Sequence, residues 1–171
     1  MNIRPARPED ARRIAEVHVE TWRATYPGVM PQEVLDGLSV EDRERLWQEW
    51  IPHPETRPFV AELDGEVVGF VSVGPCWTDR AIGELYAIYV VPAGQGRGAG
   101  LALMQAGVGA LSERWDDAIL WVATENPRAR RFYERYGWEV DGERVDDSIA
   151  GSHCPRRGTG CPAWAGASLN R

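Results

Sequence analysis

The stretch Glu84-Leu-Tyr-Ala-Ile-Tyr-Val-Val-Pro-Ala-Gly-Gln-Gly-Arg-Gly-Ala-Gly-Leu-Ala-Leu-Met104 decides how the chain folds. It reads as a β-branched and aromatic strand, a proline, a glycine-dense turn and then an amphipathic helix. Gly96, Gly98 and Gly100 permit close backbone approach and unusual dihedrals. Bare N–H groups at the start of such a helix collect partial positive charge, so a phosphate can dock there. Leu101, Met104, Val108 and Leu111 recur at one-face spacing and predict the buried side of the helix. The segment reads as a pyrophosphate-binding turn.

What the turn lacks narrows its ligand. A nucleoside-triphosphate loop needs four residues between its glycines and then Gly-Lys-Ser/Thr, and this chain contains no lysine. The dinucleotide fingerprint G-x-G-x-x-G fails as well, because Leu101 stands where its last glycine falls after Gly96 and Gly98.

Residues 118–138 carry a second pattern. Ala118 to Ala123 is short, apolar and β-prone, as a buried parallel strand is. Asn126 suits an N-cap, Pro127 the first helical position and Gly137 the C-terminal stop. Ala129, Phe132, Tyr133 and Tyr136 fall on one face of the helix between them. Gln95-x-x-Gly98-x-Gly100, after Val90-Val91-Pro92, resembles the acetyl-CoA loop of the GNAT superfamily of N-acetyltransferases, whose pattern is Arg/Gln-x-x-Gly-x-Gly/Ala. Residues 126–138 resemble that family's Asn-x-x-Ala-x-x-Phe/Leu-Tyr-x-x-x-Gly-Phe helix, with Trp138 in place of the common phenylalanine. The motifs stand in family order and at family separation. The match is close over residues 84–138 and looser toward the N-terminus, where residues 21–28 look like the same stretch of uncharacterised family members.

The resemblance implies an α/β GNAT acyl-CoA N-acyltransferase fold. That fold has a central mixed, mostly antiparallel sheet, with its fourth and fifth strands parallel and splayed, flanked by helices. On this chain the implied elements are a strand over 83–91, a helix over 98–114, a strand over 118–123 and a helix over 127–136. The implied activity is acetyl transfer from acetyl-CoA to a primary amine of a small molecule or peptide, by direct attack in a ternary complex and without a metal. Pantetheine amides would pair with the backbone of Ile88 and Val90. The amides of Gln95, Gly96, Arg97, Gly98, Ala99 and Gly100 would hold the pyrophosphate.

Aminolysis of a thioester needs a neutral amine, an N–H donor for the oxyanion and an acid for the departing thiolate. Family members commonly use a carboxylate of the fourth strand as base, and Glu84 heads that strand; its plain reading is a surface acid at a strand end. Tyr133 matches the family tyrosine beside the coenzyme sulfur and is the implied acid; otherwise it packs the helix face. Asn126 is placed to bond the pantetheine, to cap its helix, or both. Trp22, Tyr26 and Trp47 lie in the region that borders the acceptor, with ordinary packing as the alternative. The rival to catalysis is a non-catalytic acyl-CoA-binding module with a degraded acceptor site. Homodimerisation follows family habit alone.

Composition agrees with one enzyme-like domain over 1–150, followed by an atypical tail over 151–171. A chain of 171 residues buries roughly 70% of its unfolded surface without staples. No run of eighteen apolar residues spans a membrane, and Arg4, Arg7, Glu9 and Asp10 do not make a signal peptide, so the cytoplasm is expected. A net charge of −7 argues against nucleic acid as a partner. Cys76, Cys154 and Cys161 are too few for a disulfide framework, and Cys76 has no histidine near it in sequence.

Toward the N-terminus, Ala11, Ile14, Ala15, His18 and Trp22 form one helical stripe, in which His18 reads as structural. Ser39-x-x-Asp42 opens a helix whose buried face is expected at Leu46 and Trp50. Asp64-Gly65 between alternating runs predicts a hairpin with a type I′ turn. Trp138 to Gly142 suits the first strand of a closing antiparallel pair. Residues 151–171 lack alternation and look less like a strand than like drifted sequence, and His153, Cys154 and Cys161 fit no familiar zinc spacing.

Overall fold

Asp64 and Gly65 both take positive φ, 54° and 88°, as a type I′ turn demands. They join β2 (Arg57–Leu63) to β3 (Glu66–Pro75) in register, Leu63 facing Glu66. The computed structural model to which this hairpin belongs describes residues 1–140 and the backbone of 141–144 and 164–170. β1 (Asn2–Pro5) pairs with β2, and β4 (Gly83–Val90) with β3, both antiparallel. β5 (Asp117–Ala123) then runs parallel to β4. β6 (Glu139–Arg144) and β7 (Trp164–Asn170) complete a seven-stranded sheet of order β1-β2-β3-β4-β5-β7-β6. The sheet is mixed and mostly antiparallel, with its one parallel pair at the fourth and fifth strands, as expected.

Helices cover both faces, so β3 is buried along nearly all of its length. Successive strand residues point to opposite faces. Phe70 meets Trp47 of α3 (Val40–Trp50) at a ring separation of 4.9 Å and His18 of α1 (Ala11–Thr25) at 5.9 Å. On the other face, Val71 and Val73 meet Gly107 of α4 (Ala99–Ser112). A Cβ on Gly107 would stand 3.0 Å from Val71, so the missing side chain lets the helix axis approach the strands.

The sequence reading needs two corrections in these helices. In α4 the buried side is Ala99, Leu103, Met104, Gly107, Ala110 and Leu111, whereas Leu101 is 40% exposed. Small residues, invisible to a search for large apolar ones, make up half of that face: Ala99, Gly107 and Ala110 stand beside Leu103, Met104 and Leu111. In α3 it is Trp47 rather than Leu46 that is fully buried, because Phe70 offers it an edge-on ring contact.

Ser39 caps α3 by accepting the Asp42 N–H at 3.1 Å. The short α2 (Gln32–Asp36) follows the turn at Tyr26 to Pro31, and Arg4 pins β1 to the start of α1 through a bidentate ion pair with Asp10. α5 (Pro127–Glu134) starts at the Asn126 cap, whose Oδ1 accepts from Ala129 at 3.0 Å, and stops before Gly137 at φ 84°.

The tail departs from expectation. Trp164–Asn170 is a strand, paired antiparallel with β5 on one edge and β6 on the other. Partners on both edges satisfy its main chain, and such pairing overrides weak local propensity. His153, Cys154 and Cys161, together with the boundary expected at residue 150, lie outside the described residues.

Candidate active site

β4 and β5 pair only from Gly83 to Leu85 against Ala118 to Leu120, and then diverge. The gap opens a cavity of about 900 Å³, walled by β4, the end of α1, the turn before α4, Trp121 of β5 and α5. β4 carries an extra residue here: Leu85 faces Val73 and Ala87 faces Ser72, leaving Tyr86 without a register partner.

The vacated edge exposes main-chain groups in alternation. The Val91 N–H donates to Val68 on β3 at 2.9 Å. Because peptide planes alternate, Ile88 and Val90 turn their N–H and C=O groups toward the gap. The Gln95 side chain already holds the Val90 carbonyl at 3.0 Å.

Between strand and helix the chain makes a short 3₁₀ turn, Pro92–Gly94, then passes through Gly96 at φ 72° and Gly98 at φ 86°. The Gln95 N–H returns to Pro92, and the next backbone bond is Ala102 N–H to Gly98 C=O at 3.0 Å. The amides of residues 96 to 101 therefore have no backbone partner among the described residues. The left-handed glycines let the chain fold back tightly so that its free N–H groups collect at the start of α4, and the helix dipole adds to their positive end. Gly96, Gly98 and Gly100 line the cavity. Ala99 is buried and the Arg97 side chain reaches out toward Asp64 at 3.8 Å, so these two present only main chain to the turn.

Three arginines escaped the sequence reading. Arg128, Arg131 and Arg135 line the same cavity from α5 and the residue that caps its end, and Arg128 donates to Gln95 Oε1 at 2.7 Å. Their spacing of three and four along one helical face was the available signal.

Glu84 is buried at the head of β4 and lines the cavity. Its carboxylate accepts from the Trp77 N–H at 3.4 Å and from the Cys76 thiol. Burial pushes its carboxyl above the ordinary glutamate range, while those two hydrogen bonds pull the other way. Cys76, itself buried, also lies 3.3 Å from the Thr78 hydroxyl. Tyr133 stands in the opposite wall, its hydroxyl pushed up by burial and by proximity to Tyr89, and so held protonated. Tyr89 and Trp121, which also line the cavity, had not been singled out in the sequence.

Trp22 and Tyr26 close the end nearest α1, rings 5.4 Å apart, and the Tyr26 and Tyr89 hydroxyls bond each other. Trp47 is absent from this wall, because it packs in the core. His18 lies behind the wall among Trp22, Phe70 and Tyr89. Burial, and then the charge of Arg43, push its pKa down to about 3, so the ring is neutral. Asn126 lines the cavity while capping α5. Among the described residues no cluster of His, Cys, Asp and Glu could hold a metal, and no helix is long and apolar enough to cross a membrane.

The chain is 35% identical to the uncharacterized N-acetyltransferase YuaI of Bacillus subtilis over 166 residues, covering 95% of this chain and 93% of that protein. Its fold matches PaiA N-acetyltransferase from Thermoplasma acidophilum in complex with coenzyme A, at a TM-score of 0.77 and 18% identity over 99% and 98% of the two chains. It also matches yncA of Salmonella typhimurium, a putative acetyltransferase with its cofactor acetyl-CoA, at a TM-score of 0.72 and 20% identity over 99% and 93%. The model of the acetyltransferase (GNAT) family covers residues 13–138. With its splayed strands, glycine turn and capped α5 inside that span, the chain belongs to the acetyltransferase (GNAT) family and is an acyltransferase.

Proposed function

We propose that the protein transfers the acetyl group of acetyl-CoA to a primary amine, on a small molecule or a peptide, in a ternary complex. One observation carries this reading: the turn at residues 96 to 101, whose amides have no backbone partner among the described residues, lines the same cavity as a buried carboxylate and a protonated tyrosine. The amides would grip the pyrophosphate of the carrier, with Arg128 beside them. The pantetheine arm would run along the free edge of β4 at Ile88 and Val90, with Asn126 across the gap. Holding both reactants in one cleft supplies catalysis by orientation, with no covalent intermediate.

The chemistry then assigns roles. Glu84 takes a proton from the ammonium, and its raised pKa makes it a better base near neutral pH than an exposed carboxylate. The free amine attacks the thioester carbon; a C–N bond forms and the C–S bond breaks. Tyr133 gives its proton to the departing sulfur, and the surplus proton of the acylated nitrogen returns to the tyrosinate, leaving the amide, the free thiol and a protonated Glu84 that releases its proton to solvent.

Release of free thiol from acetyl-CoA across a panel of amines tests the reading, with Tyr133→Phe as control. An active amine and a fall in kcat of about a hundredfold in the variant are expected. If calorimetry detects coenzyme binding but no amine accelerates thiol release, the protein is a non-catalytic acyl-CoA-binding module instead.

A further inference from the structure

Trp77, in the loop from β3 to β4, is 67% exposed, the most open large apolar side chain among the described residues. Exposing an indole wastes a large apolar face, unless something covers it. The ring is not isolated: it lies 5.8 Å from Tyr86 at 39°, and 6.5 Å from Trp50 at 38°. Trp50 and Tyr86 are themselves 6.3 Å apart. Tyr86 is the extra residue of β4, fixed by its hydroxyl donating to the Pro75 carbonyl at 2.5 Å. Two supported rings thus hold a third whose outer face is free.

This platform borders the reacting end of the cavity through Tyr86. Tyr86 lines the cavity, and the Trp77 backbone N–H, with the Cys76 thiol, holds Glu84. Of the carboxylates bordering the loop, Glu55 is paired with Arg80, and one oxygen of Asp79 accepts the Ala81 N–H. The Arg80 charge also acts on Tyr86. A second ammonium group would find Glu55 already paired and would meet the Arg80 guanidinium. A flat neutral ring would find a flat partner.

We propose that Trp77, backed by Tyr86 and Trp50, binds an aromatic body of the acceptor, so that the substrate is an aromatic monoamine rather than a polyamine. The inference rests on the reading of Glu84 as the group that receives the amine proton. An amine docked at Glu84 then lays its ring over the indole.

The test compares 2-phenylethylamine with 2-cyclohexylethylamine, n-butylamine and putrescine, for the full-length protein, Trp77→Ala and Trp77→Phe. The aromatic amine should exceed each of the others in kcat/KM by about tenfold, the scale of one aromatic pair. Trp77→Ala keeps the backbone N–H and should bring the ratios near one, and Trp77→Phe should restore most of the preference. Ratios near one in the unaltered protein, or ratios untouched by Trp77→Ala, overturn the proposal. If no amine is acetylated, calorimetry of 2-phenylethylamine on the coenzyme-loaded protein still decides. Binding lost in Trp77→Ala upholds the platform and removes only the catalytic reading, whereas absent binding removes the platform.

Discussion

Acidification from about pH 7.5 to about pH 5 should weaken the fold by about 2 kcal/mol through His18 alone. The ring is enclosed by Trp22, Phe70 and Tyr89 at centroid distances of 5.3, 5.9 and 5.2 Å, and neither nitrogen has a hydrogen-bond partner among the described residues. Burial, aided by the Arg43 charge, takes its pKa from 6.5 to about 3. In the unfolded chain the ring regains the ordinary value. A folded pKa below the unfolded one means that this stability is complete above 6.5 and drains away as pH falls toward 3. Between those limits unfolding takes up one proton, worth roughly 1.4 kcal/mol per pH unit.

Other groups move in the same experiment, so the comparison needs a reference protein. Glu84 has a raised folded pKa, and its protonation as pH falls favours the folded state, opposing His18. Asp10 is lowered by Arg4 and loses its contribution only beneath its unfolded value of 3.8, outside this window. His18→Leu keeps the bulk, removes the titration and leaves Glu84 in place, so the difference between the two proteins isolates the ring. Urea unfolding followed by tryptophan fluorescence reads it. The difference in midpoint should change by roughly 1 M urea between the two pH values, for a slope near 2 kcal/mol per molar. Parallel pH dependence in the two proteins would refute the reasoning, because the folded ring would then be able to take up a proton.

Two further outcomes are expected at the site. In Glu84→Gln, kcat/KM at neutral pH should fall by about a hundredfold or more, and the acidic limb of the pH–rate profile should disappear. In the unaltered enzyme that limb should lie above 4.5, since burial raises the carboxyl from that value. Gly98→Ala forces a side chain into φ 86°, a conformation that costs an L-residue roughly 1–2 kcal/mol. Coenzyme affinity measured by calorimetry should drop about tenfold, and unchanged affinity would mean that the turn does not grip the carrier.

Much of the fold was legible in residues that lie close together in sequence. Asp64-Gly65, the glycines of residues 96–98 and the Asn126-Pro127 start of α5 act through dihedrals and hydrogen bonds spanning three or four positions. Such rules survive in any tertiary setting, so turn, hairpin and cap could be read directly. The two family motifs then ordered those pieces.

Tertiary structure decided what depends on partners far along the chain. Trp47 replaced Leu46 in the core because Phe70, 23 residues away, presents its ring there. Leu101 left the core because Gly107 and its small neighbours let α4 settle against Val71 and Val73. Trp164–Asn170 became a strand because β5 and β6 each lend it an edge. Gln95 meets Arg128, and Glu84 meets Cys76 and Trp77, only once β4 and β5 have parted and the β3–β4 loop has folded back. Periodicity in a sequence shows which side of an element is apolar; the shape and polarity of what lies opposite determine which residue is buried and which carboxylate is held.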